Sequence, residues 1–215
     1  MTVTHALWLV CEARVARLEG EGLTAIVAEL LQLSEEQELP QPRANALIFL
    51  GWALARSGET AVGIAKIEEG LDLLSKMGVQ AYLTRSLCLL AEALLAAGRP
   101  SAGLTHIARA LDGAAEFGDT FYLSRLHQVR AELLLRVGDR IDEAAASLNQ
   151  ALTVARQQGA KAYELRAATS LARLWGEKGR RAEAHDLLAP IYGWFREGFN
   201  TADLKEAKGL LDELT

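Results

Sequence analysis

Apolar residues in this 215-residue chain recur at helical spacing through paired segments, and glycines stand between the segments. One series of segments covers roughly 42–57, 80–97, 120–137 and 161–178, and a second covers roughly 59–77, 100–117, 141–158 and 181–197. Gly58, Gly98, Gly138 and Gly179 close the first series, and Gly78, Gly118, Gly159 and Gly198 the second, at a period of 39 to 41 residues. Glycine just beyond a helix adopts the left-handed C′ conformation without steric cost. Each unit therefore reads as a helix, a tight turn and an antiparallel second helix. Two more helices are expected near 3–18 and 23–37, with an irregular "EGEG" turn between them and "ELPQP" after them. "NTADLKEAKGLLDEL" reads as a capping helix over 201–214, with Thr201 as N-cap, Asp203 in the first turn and Leu204, Leu211 and Leu214 as its apolar stripe.

Two columns of small residues run through these units. Gly51, Ala91, Ala131 and Ala172 lie seven residues before the first-series glycines, and Gly63, Gly103, Ala144 and Ala184 occupy the second helices. Large apolar columns accompany them: Leu54, Leu94, Leu134 and Trp175 in one series, and Ile67, Ile107, Leu148 and Leu188 in the other. This order resembles the tetratricopeptide repeat (TPR) at its close-packing positions, although these units are about 40 residues long against the usual 34 or so. The expected fold is all-α: a TPR-like right-handed superhelix of antiparallel helix pairs in one domain, with units at 1–39, 42–78, 80–118, 120–159 and 161–198.

Composition agrees, since alanine and leucine supply about a third of the residues and both are strong helix formers. The four prolines, at 40, 42, 100 and 190, fall beside expected helix boundaries. A net charge of −5 argues against nucleic acid or an anionic membrane as partner. No apolar run is long enough to span a bilayer, and the N-terminal segment lacks the basic region of a signal peptide. Cys11 and Cys88, 77 residues apart, read as reduced, buried thiols of a cytoplasmic protein.

The segment from Tyr163 to Leu214, most distinctively "LLAPIYGWF" and "TADLKEAK", resembles the TPR-like tail of bacterial multidomain proteins. Those proteins join a class III adenylate or guanylate cyclase domain, or a DNA-binding domain, to an AAA-type ATPase module and such a tail. "FLGWALARSG" and "LLAEALLAAGRP" are similar to earlier repeats of that tail. The resemblance implies a regulatory role, with a segment of the parent's ATPase or cyclase domain among the partners.

No enzymatic constellation emerges. "GEGLTA" follows a helix and not a strand, the four histidines lack metal-ligand spacing, and no GxSxG element occurs. The chain is read as a non-enzyme with no cofactor and no metal. In a TPR-like array the first helix of each pair lines the concave groove. By phase, that groove holds Asn45, Ile48, Trp52 and Arg56, then Arg85, Cys88 and Glu92, then Arg125, Gln128, Glu132 and Arg136, then Arg166, Thr169 and Arg173. Tyr82, Tyr122 and Tyr163 precede three of these arginines by three residues, a Tyr-x-x-Arg element that returns once per unit. The tyrosines are expected at the seams between first helices. The arginines fit either pairing with the Glu92 and Glu132 column or a ladder for a carboxylate ligand. The leading reading is a module that binds a protein or peptide segment in bacterial signalling. The alternatives are a sensor of a small anionic metabolite or signal peptide, and a homo-oligomerisation module such as a homodimer.

Overall fold

The computed structural model describes residues 3–20, 22–138 and 140–215; Glu21 of the "EGEG" turn lies outside these. Among the described residues there are eleven α-helices and no strand. They form two compact units, which divide between Gly118 and Asp119. The first unit contains α1 (Val3–Ala16), α2 (Leu23–Glu36), α3 (Pro40–Arg56), α4 (Thr60–Lys76), α5 (Leu83–Ala96) and α6 (Pro100–Phe117). The second contains α7 (Leu123–Val137), α8 (Ile141–Gln157), α9 (Lys161–Glu177), α10 (Arg181–Tyr192) and α11 (Ala202–Leu214).

Sequential helices pack as pairs: α3 on α4 and α5 on α6 in the first unit, α7 on α8 and α9 on α10 in the second. The small columns set how closely they approach. A Cβ added at Gly51 would lie 2.3 Å from the Gly63 carbonyl oxygen, and one added at Gly63 would lie 2.4 Å from the Gly51 carbonyl oxygen. Backbone therefore touches backbone between α3 and α4. Ala91, Ala131, Ala172, Ala144 and Ala184 are buried at the equivalent positions, and Ile67, Ile107, Leu148 and Leu188 form the core beside them.

The turns follow the glycine pattern. Gly98, at φ 69°, donates to the Leu95 carbonyl while Arg99 donates back to Leu94, which closes α5. Gly138 differs, since its φ of 142° and ψ of −153° lie outside the left-handed helical region. In the first two helices the same role falls to non-glycine residues, Leu18 (φ 57°) and Glu38 (φ 52°).

Several boundaries shift. Helices α5 and α7 begin at Leu83 and Leu123, three residues later than the periodicity suggested, because Tyr82 and Tyr122 are N-cap residues. Helix α10 ends at Tyr192, five residues short of the expected 197. Pro190 lies inside α10, whereas Pro40 and Pro100 open α3 and α6. Thr201 is the N-cap of α11 but makes no side-chain cap; its hydroxyl donates to the Gly198 carbonyl at 2.8 Å. The buried stripe of α11 is Leu204, Ala207, Leu210 and Leu214, and Leu211 is half-buried. Trp175 is also half-buried, with the Arg180 guanidinium 4.5 Å from its ring centre.

Candidate functional site

In the first unit the first helices α1, α3 and α5 meet along a polar seam. Arg85 of α5 is only 3% exposed, and it donates to Glu12 of α1 and to Asn45 of α3. Its guanidinium also lies over the rings of Phe49, at 4.8 Å, and Tyr82, at 5.0 Å. A buried guanidinium is tolerated where hydrogen bonds and an opposite charge replace lost water, and these contacts supply both. Asn45 is itself anchored, its amide donating to the Gln41 carbonyl at 3.0 Å. Further along the seam, Trp52 of α3 is fully buried and its Nε1 donates to Glu92 of α5 at 2.9 Å. Exposed Arg56 covers the same indole at 5.0 Å, and the Cys88 thiol faces Glu92 at 3.9 Å. Ile48 is wholly buried.

The second unit repeats the device with other partners. Arg125 pairs with Glu132 along α7 at 3.3 Å, and Gln128 is buried between them in sequence. Arg166, 7% exposed, donates from Nε to Asp203 of α11 at 2.7 Å and lies 5.5 Å over the Tyr163 ring. Arg173, which is exposed, donates to Glu206 of α11 at 2.8 Å. Thr169 is buried, its hydroxyl donating to the Leu165 carbonyl at 2.8 Å. Arg136, near the end of α7, is exposed.

The groove residues assigned by phase thus fall into two sets. Trp52, Arg85, Arg125, Gln128, Arg166 and Thr169 are buried, so the Trp52 ring offers no apolar surface to a groove. Arg56, Arg136 and Arg173 reach solvent. Arg85 takes Glu12 as its partner where Glu92 was expected, and Glu92 serves Trp52. Asp203 and Glu206, three apart on α11, bring the chain's own carboxylates to the α9 arginines. Arg166 therefore belongs to the packing of α11 on α9, and its exchange for glutamate would disturb that packing as well as any ligand.

Sequence reasoning missed a cavity of about 210 Å³ on the first-helix side of the first unit. Its walls include Thr4, His5 and Trp8 of α1, Pro42 and Asn45 of α3, and Tyr82. His5 stacks on Trp8 at 5.6 Å, and Tyr82 meets Trp8 edge-on at 5.8 Å. The Trp8 indole N–H is buried and has no acceptor among the described residues. Trp8 and Glu12 are four residues apart on α1, a spacing that places both on one helix face and was the available signal.

Burial governs the titrating groups. The Cys11 thiol is pushed up to about 12 by burial, with Glu12 adding to the effect, so it stays protonated at neutral pH. Burial also lowers His127, helped by Arg130, and lowers His106, helped by Arg109. Burial alone would raise Glu164, but hydrogen bonds from Lys161 at 2.7 Å and Arg156 at 2.9 Å outweigh it and hold the carboxyl below its usual range. The unfolded chain therefore binds protons at these histidines more readily than the folded chain does. Stability from both is fully present above the unfolded value of 6.5 and is lost as pH falls through the lower folded values. The melting temperature is expected to drop as pH falls below about 6.5, and less so in a His106→Gln/His127→Gln variant. Equal slopes in variant and wild type would refute this assignment.

No protein-family model matches the chain. A curated relative, the uncharacterized protein R02095 of Rhizobium meliloti (strain 1021), is 32% identical over 170 residues. That match covers 79% of this chain, which spans only 16% of the relative's length. Among solved structures, a Rap protein complexed with Competence and Sporulation Factor superposes with a TM-score of 0.77 at 14% identity. The superposition covers 98% of this chain and 57% of the Rap chain. A Podosopora anserina protein of the kinesin light chain kind, built from nearly identical TPR-like repeats, gives 0.58 at 16% identity over 90% of this chain and 96% of that one. The fold is a TPR-like helical repeat. Among the described residues no helix is long and apolar enough to cross a membrane, and no cluster of three acidic, histidine or cysteine side chains is placed to hold a metal.

Proposed function

We propose that the chain is a non-catalytic binding module whose first-helix face holds a protein or peptide segment, within a larger bacterial signalling protein. The observation that carries this reading is the cavity beside Trp8. It joins an aromatic wall to a buried indole donor that lacks an acceptor. A buried donor left unpaired costs about 1–3 kcal/mol, so an occupant that brings a carbonyl or carboxylate oxygen gains both that bond and the apolar contact. Asn45 lines the same cavity, and exposed Arg56 extends the polar edge along α3.

The Rap structure supports the peptide reading, because that TPR-like neighbour is complexed with Competence and Sporulation Factor. The Rhizobium meliloti relative supports a bacterial setting and a longer parent. A segment of an ATPase or cyclase domain of the same parent is one such partner. The reading of an anionic-metabolite sensor in this groove has less support. Arg85, Arg125, Arg166 and Arg173 each already face a carboxylate of this chain.

The test is selection of peptides from a displayed library on the purified chain, followed by affinity measurements on wild type and Trp8→Phe. The exchange keeps an aromatic ring and removes the N–H, so stability is expected to hold or rise. Affinity is expected to fall about tenfold, the loss of one good hydrogen bond to a desolvated donor. Selected peptides that bind both proteins equally would remove Trp8 from the site.

A further inference from the structure

A second cavity, of about 330 Å³, opens between α4, α5 and α6 of the first unit. Leu87 and Leu90 of α5 form a floor almost wholly shielded from solvent, and Leu71 and Leu83 stand half-buried beside them. The polar side is Glu68 of α4 with His106 and Arg109 of α6. His106 Nδ1 is buried with no hydrogen-bond partner, and Arg109 and Glu68 make no ion pair among the described residues. This is an aliphatic slot with a guanidinium, a carboxylate and a hydrogen-bonding ring along one edge. Nothing in the polar seam of the first helices uses it.

We infer that this cavity binds a medium-chain aliphatic carboxylate, its chain against the leucines and its head group at His106 and Arg109. Size, head group and charge each bear on the class. At ~30 Å³ for each water-sized group, the volume holds about ten heavy atoms, which suits an eight- to ten-carbon chain better than a long-chain lipid. Arginine offers parallel N–H donors that match a carboxylate, and the unpartnered imidazole nitrogen adds one more hydrogen-bonding position. Burial, with Arg109 close by, keeps His106 neutral at physiological pH, while Glu68 acts in the opposite direction. With Glu68 on the same edge, a singly charged head group is favoured over a phosphate, whose second charge the glutamate would repel.

The test is equilibrium binding of straight-chain carboxylates from butanoate to dodecanoate, below their micelle concentrations. The site predicts one saturable equivalent per chain. Affinity is expected to rise about fourfold per added methylene and to level off once the slot is full. Arg109→Ala should weaken decanoate about tenfold while leaving decanol unchanged. Leu83→Trp, at a half-buried position, should block the slot and abolish binding of both. If that variant melts lower than wild type, Leu71→Trp provides the same block from α4. Absence of saturation, affinities that ignore chain length, or full binding in a blocked and folded variant would each overturn the assignment. Equal loss of decanol and decanoate in Arg109→Ala would overturn the head-group assignment.

Discussion

Replacing Gly51 by alanine is expected to lower the stability of the first unit by about 3 kcal/mol, the upper end of the usual cost of overpacking. The sign is the informative part. In an unobstructed helix the same exchange stabilises by ~1 kcal/mol, because alanine is the better helix former. At Gly51 the new Cβ would meet the Gly63 carbonyl oxygen at 2.3 Å and the Ile67 amide nitrogen at 2.9 Å. Both are backbone atoms of α4, so relief requires α3 and α4 to separate along their length. Gly70 adds a second such contact, with the Ala44 carbonyl oxygen 2.6 Å from its added Cβ. Gly113 of α6 is the matched control, since nothing lies within 4 Å of a Cβ placed there. Gly113→Ala is expected to stabilise by up to ~1 kcal/mol. Denaturant unfolding followed by circular dichroism separates the two, and a stabilising Gly51→Ala would contradict the close packing of this pair.

The second large effect is expected from Arg85→Met. Removing one member of a buried ion pair typically costs ~3–5 kcal/mol, because the other charge stays desolvated. Here Glu12 loses a partner while its side chain is only 18% exposed, and buried Asn45 loses the donor to its carbonyl oxygen. The packing of the guanidinium on Phe49 and Tyr82 is partly kept by the methionine chain. A cost near ~3 kcal/mol is therefore expected, and the double variant Arg85→Met/Glu12→Met should recover much of it. A double-mutant cycle measures the coupling directly. Additive losses would show that the two side chains do not act as a pair.

These two sites show what the sequence made legible. The repeat period, the turn glycines and the small columns are local or periodic, so each unit repeats the information of the last. Gly51, Gly63 and the alanine columns were visible for that reason. The Tyr-x-x-Arg spacing puts Tyr82 and Tyr163 at the seams between first helices, and the structure sets each ring under its guanidinium. Arg125 pairs with Glu132 as one of the two readings had it, whereas the partners of Arg85, Arg166 and Arg173 were not legible. Glu12 lies 73 residues from Arg85 and belongs to the least regular pair of helices, ended by Leu18 and Glu38 in place of glycine. Asp203 and Glu206 lie on the capping helix, which has no counterpart in the other units to reveal its register. Phase placed Trp52 in a groove, but burial depends on which neighbouring helix covers it, and α5 does so through Glu92. Burial also reorders the candidate site, moving its centre from the arginines to Trp8 and Asn45.

The central claim is that a peptide segment lies on α1, α3 and α5 of the first unit. The most direct measurement is a titration of the isotope-labelled chain with a selected peptide, followed by NMR. The account predicts the largest shifts at the Trp8 indole N–H, the Asn45 side-chain amide and the backbone amides of α1, α3 and α5. Shifts confined to α2, α4 and α6, with the Trp8 indole signal unmoved at saturation, would contradict it.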